Sequence, residues 1–149
     1  MSRVEFEVYG KPQPAGSKRA FVNPKSGRAI VTDANAKSKP WKQEVAAVAH
    51  QAMAGRGVFT GPVRMLLEFH VARPKGHYGT GRNAAVLKGS APRHPTSKPD
   101  VTKLIRGVED AMTGVVYRDD SQVYRQEARK VYALDGVEFV SVVIEEEAS

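Results

Sequence analysis

The nine residues from Val63 to Val71, VRMLLEFHV, constrain the fold more than any other segment of this chain. Apolar side chains fall on both alternations of a two-residue repeat, so the segment reads as a strand with two largely apolar faces. Such a strand belongs at the centre of a sheet, with neighbours on both edges. Val4, Phe6 and Val8 alternate with Glu5, Glu7 and Tyr9, giving a half-buried strand near the N-terminus. Residues 19–22 and 29–32 are short strands, joined as a hairpin through the turn sequence NPKSG at 23–27. Two further strands are expected at 122–133 and 137–144, linked as a hairpin through Leu134-Asp135-Gly136.

Two helices accompany the strands. Ser38 is a capping candidate with Pro40 in the first turn, where a missing N–H costs nothing. Trp41, Val45, Val48, Ala49, Ala52 and Met53 then follow helical spacing as far as Gly55-Arg56-Gly57. From Asp100, with Pro99 before it, Val101, Leu104, Ile105, Val108, Ala111 and Met112 form one apolar stripe that Gly114 ends. The fold class is α/β in the α+β sense. It is a small mixed sheet of about five to six strands with two main helices, in a single domain over residues 1–149.

Charge narrows the function. The formal net charge is +7 with a pI near 9.8, which favours an anionic partner, nucleic acid first and a membrane surface second. Cysteine is absent, so disulfides and thiolate zinc or iron–sulfur sites are excluded. No apolar run is long enough to span a bilayer, and the opening MSRVEFEVYG lacks the apolar core of a signal peptide. The expectation is a soluble, cytoplasmic protein with no membrane association.

Within this basic chain, residues 98–123 (KPDVTKLIRGVEDAMTGVVYRDDSQV) concentrate Asp100, Asp110, Asp119 and Asp120. Residues 73–97 contain no acid and read as a long loop carrying Arg73, Lys75, Arg82, Lys88 and Arg93. Carboxylates in a positive field suit a hard divalent cation held against a polyanion, as in a metal-dependent nuclease. At 100° per residue, Asp100, Lys103, Gly107 and Asp110 share one flank of the second helix. Asp100 and Asp110 lie about 15 Å apart along the axis, too far to share an ion. The expected partner of Asp100 is therefore Asp119-Asp120, one of which would point back to the mouth of the helix. Each residue also has an ordinary reading: Asp100 as an N-cap, Asp119-Asp120 as a polar turn, and Asp110, Lys103 and Arg106 as a solvated helix face. His77 and His94 lack metal-ligand spacing, and His50 and His70 sit in predicted elements as structural residues. Spacing and charge alone thus support a DNA- or RNA-binding domain with a magnesium site.

KPD, LIRGVEDAMTG and VVYRDDSQV together resemble the RusA-type Holliday-junction resolvases, crossover junction endodeoxyribonucleases common in prophages and bacteriophages. That signature runs approximately as KPDxDNLxK, a DAL-like helix end with NG, then DDxQ. The opening FEVYGKPQPAGSKR is similar to the family's first strand and basic loop, so the resemblance spans most of the chain. It implies an α/β subunit working as a homodimer in the bacterial cytoplasm, binding four-way DNA junctions in recombination and repair. It further implies paired cuts made with magnesium, with manganese as the alternative ion. By position, Asp100 and Asp120 would be metal ligands, Asp119 part of the same acidic pair, and Asp110 the helix-end aspartate. Two departures stand out: Thr102 replaces the family's second aspartate with Lys103 following it, and Arg106 replaces the usual lysine. Lys103 and Arg106 would contact phosphate, and Arg73, Lys75, Arg82, Lys88, Arg93 and Lys98 would form the sequence-independent DNA footprint. Thr102 keeps a second reading open, a catalytically weakened junction- or nucleic-acid-binding module that does not cut. A general RNA- or DNA-binding domain with incidental acids is disfavoured, because only Tyr78 offers a stacking ring among the basic residues of the loop.

Overall fold

The computed structural model describes residues 2–16, 18–33 and 35–148. Six strands and two helices follow one another as β1 (Ser2–Tyr9), β2 (Lys18–Val22), β3 (Ala29–Asp33), α1 (Ser38–Met53), β4 (Val63–Val71), α2 (Val101–Met112), β5 (Val123–Tyr132) and β6 (Phe139–Glu146). A four-stranded sheet has the order β1-β6-β4-β5, and β2–β3 form a separate antiparallel hairpin. This is the α+β class and the mixed sheet expected from the sequence. No helix among the described residues is long and apolar enough to cross a membrane.

β4 is interior, pairing antiparallel with β6 on one edge and parallel with β5 on the other. The pairing of the last two strands differs from expectation. β5 and β6 do not form a hairpin, because β4 lies between them and takes a ladder from each. A parallel neighbour requires a long crossover, and residues 72–122, including α2, provide it. The segment 73–97 is not wholly irregular. It carries two single 3-10 turns, Lys75–His77 and Gly81–Asn83, and a bridge between Tyr78 and Leu87.

Both helices cover one side of the sheet. Val8, Met65, Leu67, Phe69, Val140 and Val142 face Trp41, Val45, Ala49, Leu104, Val108 and Met112 in a single core. Each such Val, Leu, Met or Phe side chain contributes about 1.5–3 kcal/mol when fully buried. The other side of β4 departs from the expected apolar character. It displays Arg64, Leu66, Glu68 and His70, and ion pairs cover it rather than a second layer. Glu145, near the end of β6, belongs to this pattern. Glu145 is buried between Arg3 (3.1 Å) and Arg64 (2.6 Å), and Glu146 Oε2 accepts from the backbone N–H groups of Thr60 and Gly61. Ser38 is the first residue of α1 rather than its cap; Lys37 takes the cap position without a side-chain bond.

The loop after β1 lies directly across α2. Ala15 N–H donates to the Lys103 carbonyl at 3.0 Å, and Ala15 is fully buried. Gly107 permits this approach: a Cβ there would sit 3.1 Å from the Gln13 carbonyl oxygen. The flank Asp100–Lys103–Gly107–Asp110 is therefore partly covered, not open along its length. Gly107→Val should cost about 1–3 kcal/mol by overpacking this contact, read as a lower urea midpoint at unchanged slope. An unchanged midpoint would mean the loop is not seated on α2 in solution.

Candidate functional site

The acidic turn is built from the end of α2 outward. Gly114, at φ +82°, ends the helix, and Val116 and Tyr117 turn back into the core with no exposed surface. The Tyr117 hydroxyl donates to the Glu109 carbonyl at 2.9 Å. Phe59 N–H donates to the Val116 carbonyl, and Arg118 N–H donates to the Phe59 carbonyl. This short pairing leads into the 3-10 turn Asp120–Gln122, for which Asp119 is the cap. Asp119 Oδ1 accepts from Ser121 N–H at 3.3 Å, and Gln122 Oε1 accepts from Asp119 N–H at 2.8 Å. The Gln122 amide then donates to the carbonyls of Phe59 (2.8 Å) and Gly61 (2.9 Å). One glutamine side chain thereby ties the turn to the start of β4, with both aspartates left exposed.

The electrostatics of the turn follow from crowding. The side chains of Asp119 and Asp120 hydrogen-bond each other, which holds Asp119 below the ordinary aspartate value, helped by the Ser121 N–H. The same bond pushes Asp120 up, and the negative charges of Asp119 and Asp110 add to the rise. The two carboxyls titrate as a pair, and the proton belongs to the pair rather than to one residue. Glu109 is also pushed up. Burial is the main cause, opposed by a 2.5 Å bond from the Gln126 amide and reinforced by Asp120 and Asp110. Asp110 pairs with Lys42 of α1 at 3.4 Å.

The structure brings some of the sequence-derived residues together and keeps others apart. β5 runs back along α2: Gln126 meets Glu109, whereas Lys130 Nζ donates to the carbonyls of Ser97 (2.8 Å) and Pro99 (2.9 Å), just before the helix begins. Asp119 and Asp120 are therefore at the C-terminal end of α2, in the charge field of Glu109 and Asp110. Asp100 is at the other end, about 15 Å along the axis from Asp110. The expectation that Asp120 turns back to the helix mouth beside Asp100 is not met within one chain. Asp100 occupies the N-cap position without a side-chain capping bond and borders a hollow of about 140 Å³ with Pro14, Lys98, Pro99 and Lys103. Thr102 and Arg106 are exposed, on the helix face that continues to Glu109.

Lys75, Arg82, Lys88, Arg93 and Lys98 are all exposed. Arg73 has a structural task. Its guanidinium lies 4.1 Å from the Tyr132 ring centre and donates to the Pro92 carbonyl at 2.7 Å, anchoring the basic loop. Glu109, Gln122 and Lys130 were not singled out by sequence reasoning. Gln122 stands in the DDSQ motif itself, so its signal was available.

Among the described residues, no group of three or more His, Cys, Asp or Glu side chains is arranged to hold a metal ion. The exposed pair Asp119–Asp120 nevertheless offers the hard oxygen donors that magnesium takes, and magnesium is commonly held by one or two carboxylates with several waters. The donor chemistry of the turn fits that ion.

Comparison with known proteins agrees with the motif. Residues 10–144 match the family described as Endodeoxyribonuclease RusA. The chain is also similar to the uncharacterized protein YqaN of Bacillus subtilis (strain 168), with 35% identity over 133 residues, covering 89% of this chain and 90% of that protein.

The raised pKa of Glu109 carries a sign that can be checked. The folded state holds this proton more tightly than the unfolded state. Stability is therefore lost as pH rises from the ordinary glutamate range through the raised value. Glu109→Gln should remove that loss, giving a higher Tm than wild type at pH 7 and converging curves at acid pH. A lower Tm for the variant at pH 7 would show that the ionised carboxylate is instead stabilising.

Proposed function

We propose that this chain, which belongs to the RusA family of endodeoxyribonucleases, is a magnesium-dependent resolvase of four-way DNA junctions acting as a homodimer. The observation that carries the reading is the Asp119–Asp120 pair, held outward by Gln122 at one end of α2 and flanked by a chain of net charge +7. Asp119 and Asp120 would hold magnesium at the C-terminal end of α2, and Asp100 would add a carboxylate from the other end. A single subunit cannot bring both ends to one ion across the length of the helix. A two-fold axis across the middle of α2 and β5 would set the Asp120 end of one subunit against the Asp100 end of its partner. Dimerisation would then complete each site as well as match two equivalent strands.

When bound, magnesium supplies Lewis-acid stabilisation of the charge that develops on the phosphate oxygens during strand cleavage. The chain does the positioning. Gln122 fixes the backbone from which both aspartates project; Arg106 would bind phosphate without giving up its proton, and Lys103 would add a second cation there. Glu109 and Asp110 deepen the negative field that draws the cation. The exposed Lys75, Arg82, Lys88, Arg93 and Lys98 would supply backbone contacts that weaken steeply with salt. Thr102, lacking a carboxylate, is the one feature that keeps the second reading open, a junction-binding module without cleavage.

Cleavage of a synthetic four-way junction decides between them. With magnesium, wild type should make paired symmetric nicks. Asp120→Asn should cut at least about 100-fold more slowly while still binding, since even partners that only orient a metal ligand are worth about 10–100-fold. Gln122→Ala should fall in that lower range. Tight junction binding with no cutting, in magnesium or manganese, would establish the binding module instead. Equal affinity for linear duplex would remove junction recognition altogether.

A further inference from the structure

At the N-terminal end of α2, away from the acidic turn, a cavity of about 220 Å³ opens between the loop after β1, the start of the basic segment and the end of β5. Its walls are apolar and stiff: Pro12, Pro74, Pro95 and Pro99, with Val71 and Tyr132. Three lysines line it, Lys11, Lys98 and Lys130, against one acid, Glu138. Glu138 Oε2 is already engaged, accepting from Ala72 N–H at 3.1 Å.

Lys130 differs from the two exposed lysines. It is half-buried, and two of its three N–H groups are fixed on the carbonyls of Ser97 and Pro99. Neutral carbonyls orient the ammonium without cancelling its charge. Among the described residues no carboxylate lies within ion-pair distance of it, although arginines on the same sheet (Arg64, Arg125 and Arg129) each have one. A positioned cation with a donor left over, beside a proline-lined wall, is an anion site. Lys98 and Pro99 also border the hollow that contains Asp100, so an anion here is a neighbour of that carboxylate's position.

We propose that this cavity is a phosphate-binding subsite, in which Lys130, assisted by Lys11 and Lys98, holds one backbone phosphodiester of the bound DNA, distinct from the bond that is cut. This rests on the nucleic-acid-cleaving reading above and adds a register point to it. The strand is gripped at a fixed place next to Asp100, which sets where along it the cut falls. Lysines on a mobile surface would bind phosphates without selecting one. A lysine whose position is set by Ser97 and Pro99 would select one.

The test uses the full chain, Lys130→Gln and a four-way junction bearing single methylphosphonate replacements at successive backbone positions. Glutamine keeps a donor for the two carbonyls but loses the charge. With wild type, one methylphosphonate position should weaken binding about tenfold. With Lys130→Gln, overall affinity should fall by a similar factor, and that same position should carry no further penalty. The slope of log K against log salt should decrease by about 0.9, one phosphate contact. A Lys130→Gln protein that keeps the wild-type slope and the full methylphosphonate penalty at every position would overturn the proposal. If Lys130→Gln fails to fold by circular dichroism, Lys11→Gln/Lys98→Gln answers the same question on exposed residues. A reduced penalty at the selected position then supports the subsite, and a wild-type scan in which no single position stands out overturns it. Wild type that binds linear duplex as well as junction would sink the junction reading alone, because the same scan on duplex still reads the phosphate contact.

Discussion

The parallel pairing of β4 with β5 governs where every functional group of this protein stands. Two parallel neighbours cannot be joined by a tight turn, so the chain must return over the sheet before the second strand starts. α2 is that return, and it runs antiparallel to β5. Residues just before the helix are thereby carried to one end of the sheet, and residues just after it to the other. Asp100 with its lysines stands at the first end; the Asp119–Asp120 turn with Glu109 stands at the second. The separation of the acidic groups is a result of topology rather than of any local conformation.

The two ends also differ in kind. At the turn, carboxylates crowd one another, and the pKa values of Asp119 and Asp120 move in opposite directions because their side chains share a hydrogen bond. At the helix start, cations crowd a cavity with proline walls and one engaged acid. A nucleic-acid backbone laid between them would meet a cation-seeking site at one end and an anion-seeking site at the other.

Much of the fold was legible because it rests on periodicity. The alternation of Val4, Phe6 and Val8, the stripe Leu104–Val108–Met112 and the stop at Gly114 each report a local rule, and each element stands where that rule puts it. Pairing was less legible. Leu134-Asp135-Gly136 has the chemistry of a hairpin, yet β6 is claimed by β1 and β4, because long-range packing of Val140, Val142 and Ile144 outweighs a turn preference. For the same reason the burial of Glu145 is not legible locally, since Arg3 and Arg64 come from two other strands to enclose it. In the site, the DDSQ motif identified the acidic pair, but spacing along one helix could not tell which end of α2 the pair would join. Lys130 carried no sequence signal, since its role depends on carbonyls some thirty residues earlier.

The placement of β6 has a consequence for how the molecule comes into being. It is the strand made after all the others, and it fills the slot between β1, made first, and β4. Without β6, β1 has no partner in the sheet and β4 has one open edge, so the sheet that frames the acidic turn is complete only with that strand. During synthesis, closure of the sheet waits for its last strand, and the turn is framed by a complete sheet only once that strand has emerged.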